Sequence, residues 1–149
     1  MRLKDKVAII TGGSRGIGFA AAEKFLEEGA SVIITASSQA TAEGAVSKLK
    51  EKYPEAAVAG IWPNLASLES VRAAFREVEE RFGGVDILVN NAGVSESTPF
   101  AEYTEEIFNK VMDLNVKGVF HASRAVVESM IKRGGGVILS TSSMVSISG

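Results

Sequence analysis

The sequence predicts an α/β fold of three layers, in which a doubly wound parallel sheet lies between two layers of helices. Short runs of β-branched and aliphatic residues alternate with longer segments whose apolar residues recur at helical spacing. The strand runs are continuously apolar, which is typical of parallel strands buried on both faces. Alternating strands and helices favour a sheet wound on both sides. The sequence has no internal repeat and no Pro-rich linker, so we expect one domain over residues 1–149.

Five strands are expected, each a short apolar run. They cover residues 7–10, 31–35, 58–62, 85–89 and 137–139. In a parallel α/β sheet, ligands bind outside the carboxyl ends of the strands. Polar and glycine-rich motifs follow the first, fourth and fifth runs, so these motifs are the candidates for a functional site.

The third helix has the clearest sequence pattern. Its apolar residues recur at intervals of three and four, and they are Leu68, Val71, Phe75, Val78 and Phe82. Such a stripe predicts a helix that packs one face on the sheet. Ser67 is suited to cap its first turn, and Gly83 with Gly84 is suited to end it.

The other helices follow weaker patterns. Apolar positions in the first two helices are Ile17, Ala21 and Phe25, and Ala42, Val46 and Leu49. A short helix is expected over residues 104–112 and a long one over residues 114–133, which three glycines then stop. The apolar residues of the long helix are Val116, Val119, Phe120, Val126, Val127 and Met130.

Composition excludes several classes of function. The chain has no Cys and one His, His121, so thiol chemistry and imidazole-rich metal sites are not expected. We interpret His121 as a packing or interface residue. The net charge of −2 provides no basic surface for nucleic acid. No apolar run is long enough for a signal peptide or a bilayer span, so a cytoplasmic protein without a membrane partner is expected.

Residues 11–18, Thr-Gly-Gly-Ser-Arg-Gly-Ile-Gly, connect the first strand to the first helix. A helix N-terminus presents free N–H groups and a positive dipole end to an anion. Gly12 permits a tight turn, Gly16 lets the backbone approach a pyrophosphate, and Gly18 lets helix and strand pack closely. The alternative interpretation is a glycine-rich turn that binds nothing.

The pattern T-G-x-x-x-G-x-G at residues 11–18, followed by Asn-Asn-Ala-Gly at 90–93, resembles the short-chain dehydrogenase/reductase family. The segments V-D-I-L-V-N-N-A-G and L-N-V-K-G-V-F make the chain most similar to 3-oxoacyl-acyl-carrier-protein reductases. The resemblance implies an NAD(P)-binding domain of the Rossmann type and reduction of a small-molecule ketone, which could be bound to acyl-carrier protein. It assigns cofactor binding to Gly12, Ser14, Arg15, Gly16, Ile17, Gly18, Ser37, Asn64, Leu65, Asn91, Ala92 and Gly93.

The residues after the second strand favour NADP over NAD. NAD-specific sites usually have a carboxylate there, about twenty residues past the glycine loop, but this chain has Ala36, Ser37 and Ser38. Arg15 can supply a charge-assisted contact to a 2′-phosphate, and the two serines add hydroxyl donors. The competing interpretation of Arg15 is a solvated loop charge, which leaves NAD as the alternative cofactor.

Two further positions carry expectations about the cofactor site. The family usually has Asp at the end of the third strand, where it meets the adenine amino group, and this chain has Asn64 followed by Leu65. An Asn can still accept that hydrogen bond through its amide oxygen. Asn90 and Asn91 can tie neighbouring strand ends together, and Gly93 then leaves room for the cofactor ribose. Two Asn residues capping a turn is the alternative.

The resemblance also assigns two catalytic residues. Asn115 corresponds to the family's Asn that holds a water in a proton relay, and a plain structural hydrogen bond is the alternative. Ser143 corresponds to the Ser that hydrogen-bonds the substrate carbonyl, although neighbouring Ser142 or a simple serine turn competes with it. Neither Tyr53 nor Tyr103 begins the family's Tyr-x-x-x-Lys pair.

We therefore expect the 149 residues to be the N-terminal part of an NADP-dependent ketone reductase, incomplete at its C-terminal side and inactive by itself. A non-catalytic dinucleotide-binding module is the second hypothesis, and a nucleotide-sugar epimerase or methyltransferase fits the glycine spacing less well. The complete protein is expected to form a homo-oligomer, commonly a tetramer. A Tyr-x-x-x-Lys encoded soon after Gly149 would exclude the non-catalytic module.

Overall fold

A computed structural model describes residues 1–148 and contains one sheet of five parallel strands. The strands are β1 (Val7–Ile10), β2 (Ser31–Thr35), β3 (Val58–Ile61), β4 (Ile87–Asn90) and β5 (Val137–Ser140). The helices are α1 (Gly16–Glu27), α2 (Gln39–Lys52), α3 (Leu68–Phe82), α4 (Glu105–Met112), α5 (Gly118–Lys132) and α6 (Val145–Ser148). A π-helical turn, Asp113–Lys117, joins α4 to α5, and a short 3-10 turn occupies Phe100–Glu102.

The spatial order of the strands is β3-β2-β1-β4-β5. All four neighbouring pairs are parallel, with Ile9 opposite Ile33 on one side and opposite Leu88 on the other. The chain therefore proceeds outward from β1 in one direction and then outward in the other. This change of direction confirms the doubly wound parallel sheet predicted from the sequence.

Two apolar clusters, one on each face of the sheet, form the core. The first joins β-strand residues to α3 and α5 through side chains such as Val71, Phe75 and Val126, which are at most 1% exposed. The second joins the sheet to α1 and α2 through Ala22 and Leu49. The architecture is thus three layers, as expected.

Helix α3 matches its sequence prediction in bounds and caps. The hydroxyl of Ser67 accepts a hydrogen bond from the backbone N–H of Ser70, and Gly83 ends the helix at φ 84°. A positive φ is readily adopted only by glycine, which explains the residue at this stop.

Two helical stripes differ from expectation. In α1 the buried residues are Gly18, Ala22 and Leu26, whereas Ile17 is 74% exposed, so the apolar stripe is shifted by one residue. The predicted long helix begins with the π turn, and Val116 in that turn and Phe120 in α5 are more than half exposed. Helical spacing alone does not distinguish a face packed on the sheet from an exposed apolar face.

Within residues 1–148, no helix combines the length and the apolar character needed to cross a bilayer. The described part of the chain also contains no group of three or more His, Asp or Glu residues placed to hold a metal ion.

Candidate functional site

A large open cavity lies at the carboxyl ends of the strands, where the chain changes direction between β1 and β4. Its volume is about 1320 Å³. Of the residues predicted to bind a dinucleotide, all except Gly18 line this cavity. Segments that are far apart in sequence therefore converge at one place, which is where α/β sheets bind ligands.

The glycine loop after β1 forms the floor of the cavity. Gly12 has φ 65°, and a side-chain carbon there would lie 2.8 Å from Cα of Ala92. Gly16 has φ 58° and no atom within 4 Å of the place where a side-chain carbon would stand. The backbone at Gly16 is therefore open to the cavity. Helix α1 starts at Gly16 without a side-chain cap, which leaves its first N–H groups available to an anion.

Gly18 acts through packing and does not line the cavity. A side-chain carbon at this position would overlap the carbonyl oxygen of Gly12 and lie 2.5 Å from Nδ2 of Asn91. Glycine therefore lets α1 approach β1 and the end of β4 closely, as the sequence predicted.

Buried Thr11 fastens the glycine loop to the end of β4. Its Oγ1 accepts hydrogen bonds from the backbone N–H groups of Asn91 and Ala92, each at 3.0 Å, and donates to the carbonyl of Val89 at 3.4 Å. One hydroxyl thus holds two consecutive amides of the segment after β4. Thr11 was not among the predicted site residues, although it is the first residue of the glycine motif.

The amides of Asn90 and Asn91 link adjacent strand ends. Asn90 is 3% exposed, and its Nδ2 lies 3.1 Å from the hydroxyl of Ser123 on α5 and 3.5 Å from that of Ser140 at the end of β5. Asn91 donates through Nδ2 to the carbonyl of Gly12 at 3.3 Å. These bonds confirm that the two amides tie β4 to its neighbours.

The corner between β2 and α2 carries small and hydroxyl side chains. Ala36 and Ser37 line the cavity, and so does Thr41 in the first turn of α2. Ser38 does not line it, because its hydroxyl caps α2 by accepting the N–H of Thr41 at 3.2 Å. Of the two serines expected to contact the cofactor, only Ser37 faces the cavity.

Two cationic side chains, Arg15 and Lys110, line the cavity within residues 1–148. Lys110 forms an ion pair with Glu96 at 3.4 Å. Arg15 forms no ion pair with any described residue, and it sits in the glycine loop beside the start of α1. Arg15 is therefore the cation available to an anionic ligand here.

The segment after β3 is held by hydrogen bonds from two directions. The Oδ1 of Asn64 accepts the N–H of Ala66 at 3.0 Å, and the N–H of Asn64 donates to the hydroxyl of Ser70 at 2.9 Å. Nδ1 of His121 lies 2.7 Å from the carbonyl oxygen of Leu65. A carbonyl only accepts, so Nδ1 is the donor. His121 thus connects α5 to the cavity wall, in line with its expected packing role.

Asn115 lies in the π turn and bridges to the segment after β4. Its Oδ1 accepts the N–H of Val94 and its Nδ2 donates to the carbonyl of Val94, both at 2.8 Å. A side-chain carbon at Gly93 would stand 3.1 Å from Oδ1 of Asn115. The amide of Asn115 therefore ties the π turn to the segment after β4, and Asn115 does not line the cavity within the described residues.

Ser143 lies three residues beyond β5 and is exposed. Its Oγ accepts the N–H of Val145 at 3.4 Å, and its carbonyl accepts the hydroxyl of Ser146 at 2.6 Å. Neither Ser143 nor neighbouring Ser142 lines the cavity in the described part of the chain.

Neither tyrosine serves the cavity. Tyr53 donates from its hydroxyl to Oε1 of Glu27 at 2.7 Å on the outer surface of α1 and α2. This hydrogen bond raises the pKa of Tyr53 and lowers the pKa of Glu27. Tyr103 precedes α4 and also lies outside the cavity lining. The residues 1–148 thus contain no tyrosine placed as an acid at this site.

The sheet is parallel, a glycine turn leads into an uncapped helix, and a large cleft lies at the switch point. This arrangement is the Rossmann-type fold, which is typical of dinucleotide-binding domains. Comparison with known proteins narrows the class. The chain belongs to the short chain dehydrogenase family, whose model matches residues 6–149. This membership confirms the resemblance carried by the glycine motif and by residues 90–93.

Curated relatives match the full length of this chain. A 3alpha-hydroxysteroid dehydrogenase of Mediterraneibacter gnavus is 54% identical over 149 residues, which are 100% of this chain and 60% of the relative. A 3-oxoacyl-acyl-carrier-protein reductase of Vibrio cholerae is 38% identical, with 100% and 59% covered. The chain thus spans about 60% of the length of these relatives.

Solved structures show the same fold. The crystal structure of an NAD⁺-bound xylitol dehydrogenase has a TM-score of 0.93 and 31% identity, and the match covers 100% of this chain and 57% of that one. A short-chain dehydrogenase from Novosphingobium aromaticivorans has a TM-score of 0.91 and 31% identity, with 97% and 54% covered.

Proposed function

We propose that the cavity binds a nicotinamide dinucleotide, with the pyrophosphate against the glycine loop and the N-terminus of α1. The observation that carries this proposal is the open backbone at Gly16, the first residue of a helix without a side-chain cap. Small-molecule pockets are typically about 300–1,000 Å³. The cavity of about 1320 Å³ leaves room for a dinucleotide and for part of a substrate.

We propose NADP as the preferred cofactor and keep NAD as the alternative. The corner after β2 has no carboxylate at Ala36 or Ser37 to repel a 2′-phosphate, and Arg15 lies in the same cavity without an ionic partner. The NAD⁺ in the related xylitol dehydrogenase structure is the observation that favours the alternative.

The cofactor preference is tested by measuring the Kd of NADPH and of NADH for the wild type and for Arg15→Ala. A charge-assisted hydrogen bond contributes about 1.5–3 kcal/mol. We expect the Kd of NADPH to rise about tenfold or more, with that of NADH changed less than about twofold. Lys110→Ala is the matched control, since it removes a cation that is already paired. Equal weakening of both cofactors in Arg15→Ala would show that Arg15 does not recognise the phosphate.

We further propose that the protein transfers hydride between the nicotinamide and a carbonyl group, interconverting a ketone and a secondary alcohol. When bound, the nicotinamide would supply the hydride for ketone reduction and accept it in the reverse direction. Ser143 is proposed to donate a hydrogen bond to the substrate carbonyl, and Asn115 to hold a water near the reaction. Residues 1–149 contain no Tyr-x-x-x-Lys pair. We therefore propose that this polypeptide alone binds dinucleotide without reducing ketones at a normal rate.

Two substrate classes are proposed. Similarity to 3-oxoacyl-acyl-carrier-protein reductases supports a 3-oxoacyl thioester, which could be bound to acyl-carrier protein. The 54% identity to a 3alpha-hydroxysteroid dehydrogenase supports the carbonyl of a steroid ring as the second candidate. Reading the coding sequence past Gly149 tests the catalytic proposal. If that sequence encodes Tyr-x-x-x-Lys, the substrate is decided by measuring NADPH oxidation by the longer protein, with a 3-oxoacyl thioester and with a 3-ketosteroid. If it does not, a non-catalytic binding module is favoured.

Homo-oligomer formation is proposed for the complete protein. Apolar side chains on the side of the π turn and α5 away from the sheet are exposed: Val116 51%, Phe120 60% and Ile131 72%. An exposed apolar stripe of this kind is typical of an interaction surface. A cytoplasmic location remains a prediction of the sequence.

A further inference from the structure

We propose that Trp62 forms a wall of the adenine subsite by stacking on the base. This inference rests on the proposed dinucleotide binding and adds one contact to it. Trp62 is the single tryptophan of the chain and is 46% exposed directly after β3. Its indole makes no hydrogen bond or ring contact with residues 1–148. It lines the same cavity as the glycine loop.

The strand order assigns Trp62 to one half of the ligand. The glycine loop follows β1 in the centre of the sheet, with β2 and β3 on one side and β4 and β5 on the other. A pyrophosphate at the central loop directs the two nucleosides of a dinucleotide to opposite sides. Ser143 follows β5, so the nicotinamide belongs on that side. The adenosine therefore belongs beside β2 and β3, where Trp62 stands.

The backbone directs the indole toward the first turn of α2. Gly60 faces α2, because a side-chain carbon there would lie 3.1 Å from two of its side chains, whereas Ile61 packs in the opposite cluster. Pro63 favours an extended backbone at the residue before it. Successive side chains of an extended segment point to opposite faces, so Trp62 lies on the same face as Gly60. Thr41 of α2 lines the cavity on that face. The indole and Thr41 therefore line the same side of the cavity.

Core packing does not account for this residue. Trp62 belongs to neither apolar cluster, and nearly half of its surface is accessible at the cavity wall. A planar aromatic surface accepts the π-face of a nucleobase, and stacking on it is a substantial part of base binding. The neighbouring polar atoms, from Ser37 and Asn64, suit the ribose and the edge of the base.

The test compares Kd values for NADPH and NADH in the wild type, Trp62→Ala and Trp62→Phe. Base stacking predicts that Trp62→Ala raises both Kd values about 5- to 150-fold, because both dinucleotides carry adenine. Trp62→Phe keeps an aromatic face and should stay within about fivefold of the wild type. Phe100→Ala is the matched control: it removes a 93% exposed aromatic ring outside the cavity and should bind like the wild type.

A second measurement needs no variant. Because Trp62 is the only tryptophan, its fluorescence should change on titration with 5′-AMP and remain unchanged with ribose 5-phosphate. Two results would overturn the stacking and leave the dinucleotide site intact. One is that the wild type binds NADPH and Trp62→Ala binds it with unaltered affinity. The other is that bound 5′-AMP gives no fluorescence response. A wild type that binds neither NADPH nor NADH would overturn the proposed function and the stacking together.

Discussion

Replacing Thr11 with Val removes one oxygen from the centre of the site and keeps the shape of the side chain. Thr11 is 2% exposed, and its Oγ1 accepts the N–H groups of Asn91 and Ala92, each at 3.0 Å. The substitution leaves both donors without a protein acceptor. It also removes the weak bond at 3.4 Å to the carbonyl of Val89.

The expected loss of folding stability in Thr11→Val follows from the two N–H groups that lose their acceptor. An unsatisfied buried donor costs about 1–3 kcal/mol. Asn91 and Ala92 are only partly buried, so each is assigned the lower end of that range and the sum is about 2 kcal/mol. For a domain of this size, 1 kcal/mol corresponds to roughly 2–4 °C in Tm. Thr11→Val should therefore lower Tm by about 4–8 °C.

Urea and thermal unfolding followed by circular dichroism measure this change. Thr11→Ser is the matched variant, because it keeps the accepting oxygen and removes only a methyl group, at a cost of about 1 kcal/mol. Thr11→Val should also weaken dinucleotide binding more than Thr11→Ser, since the released amides belong to the cavity wall. The reasoning fails if Thr11→Val unfolds at the same urea concentration as Thr11→Ser.

Three other predictions concern packing, the loop after β3 and a hydrogen bond on the surface. Gly18→Ala should abolish dinucleotide binding and destabilise the fold by more than about 2 kcal/mol, because the new side chain overlaps the glycine loop. Gly44→Ala is the control at an open helical position and should stabilise the fold by about 0.5–1 kcal/mol. Equal urea midpoints for the two variants would contradict this prediction. His121→Ala should raise the Kd for NADPH severalfold because the loop loses its bond to α5, and His121→Asn should restore most of the affinity; no loss in the alanine variant would contradict the link. In Tyr53→Phe, an NMR titration should find the pKa of Glu27 moved up toward 4.5, because its hydrogen-bond donor is gone. A pKa that is lowered in the folded state gives stability at neutral pH that is lost as pH falls through it, so the variant should lose less stability on acidification.

Much of the fold was predictable from the pattern of apolar residues. The unbroken strand runs and the stripe Leu68 to Phe82 predicted β1, β2 and α3 with their observed bounds, because burial on both faces or on one face imposes a visible period. The stripe of α1 was predicted one residue off, since Ile17 is apolar for a different reason: it lines the cavity. The π turn was not predicted, because the hydrogen bonds of Asn115 to Val94 that accompany it join segments 21 residues apart.

The candidate site, too, could be predicted from the sequence only in part. Glycine spacing predicted where the loop turns, because positive φ and close packing restrict which residue can stand at Gly12, Gly16 and Gly18. Sequence reasoning did not find Thr41 or Trp62, and a large aromatic residue at the end of a strand run was the one signal available for Trp62. It also expected Ser38 at the cavity, and in the structure its hydroxyl caps a helix instead.

The sequence by itself determined the alternation of elements, the parallel sheet and the glycine loop, since each depends on local spacing and on the conformations that single residues permit. Only the tertiary structure decided which side chains meet. Thr11 bonds to residues 80 and 81 positions away, and His121 reaches a carbonyl 56 positions away. Such contacts depend on the order in which strands lie side by side, and no local pattern in the chain carries that order.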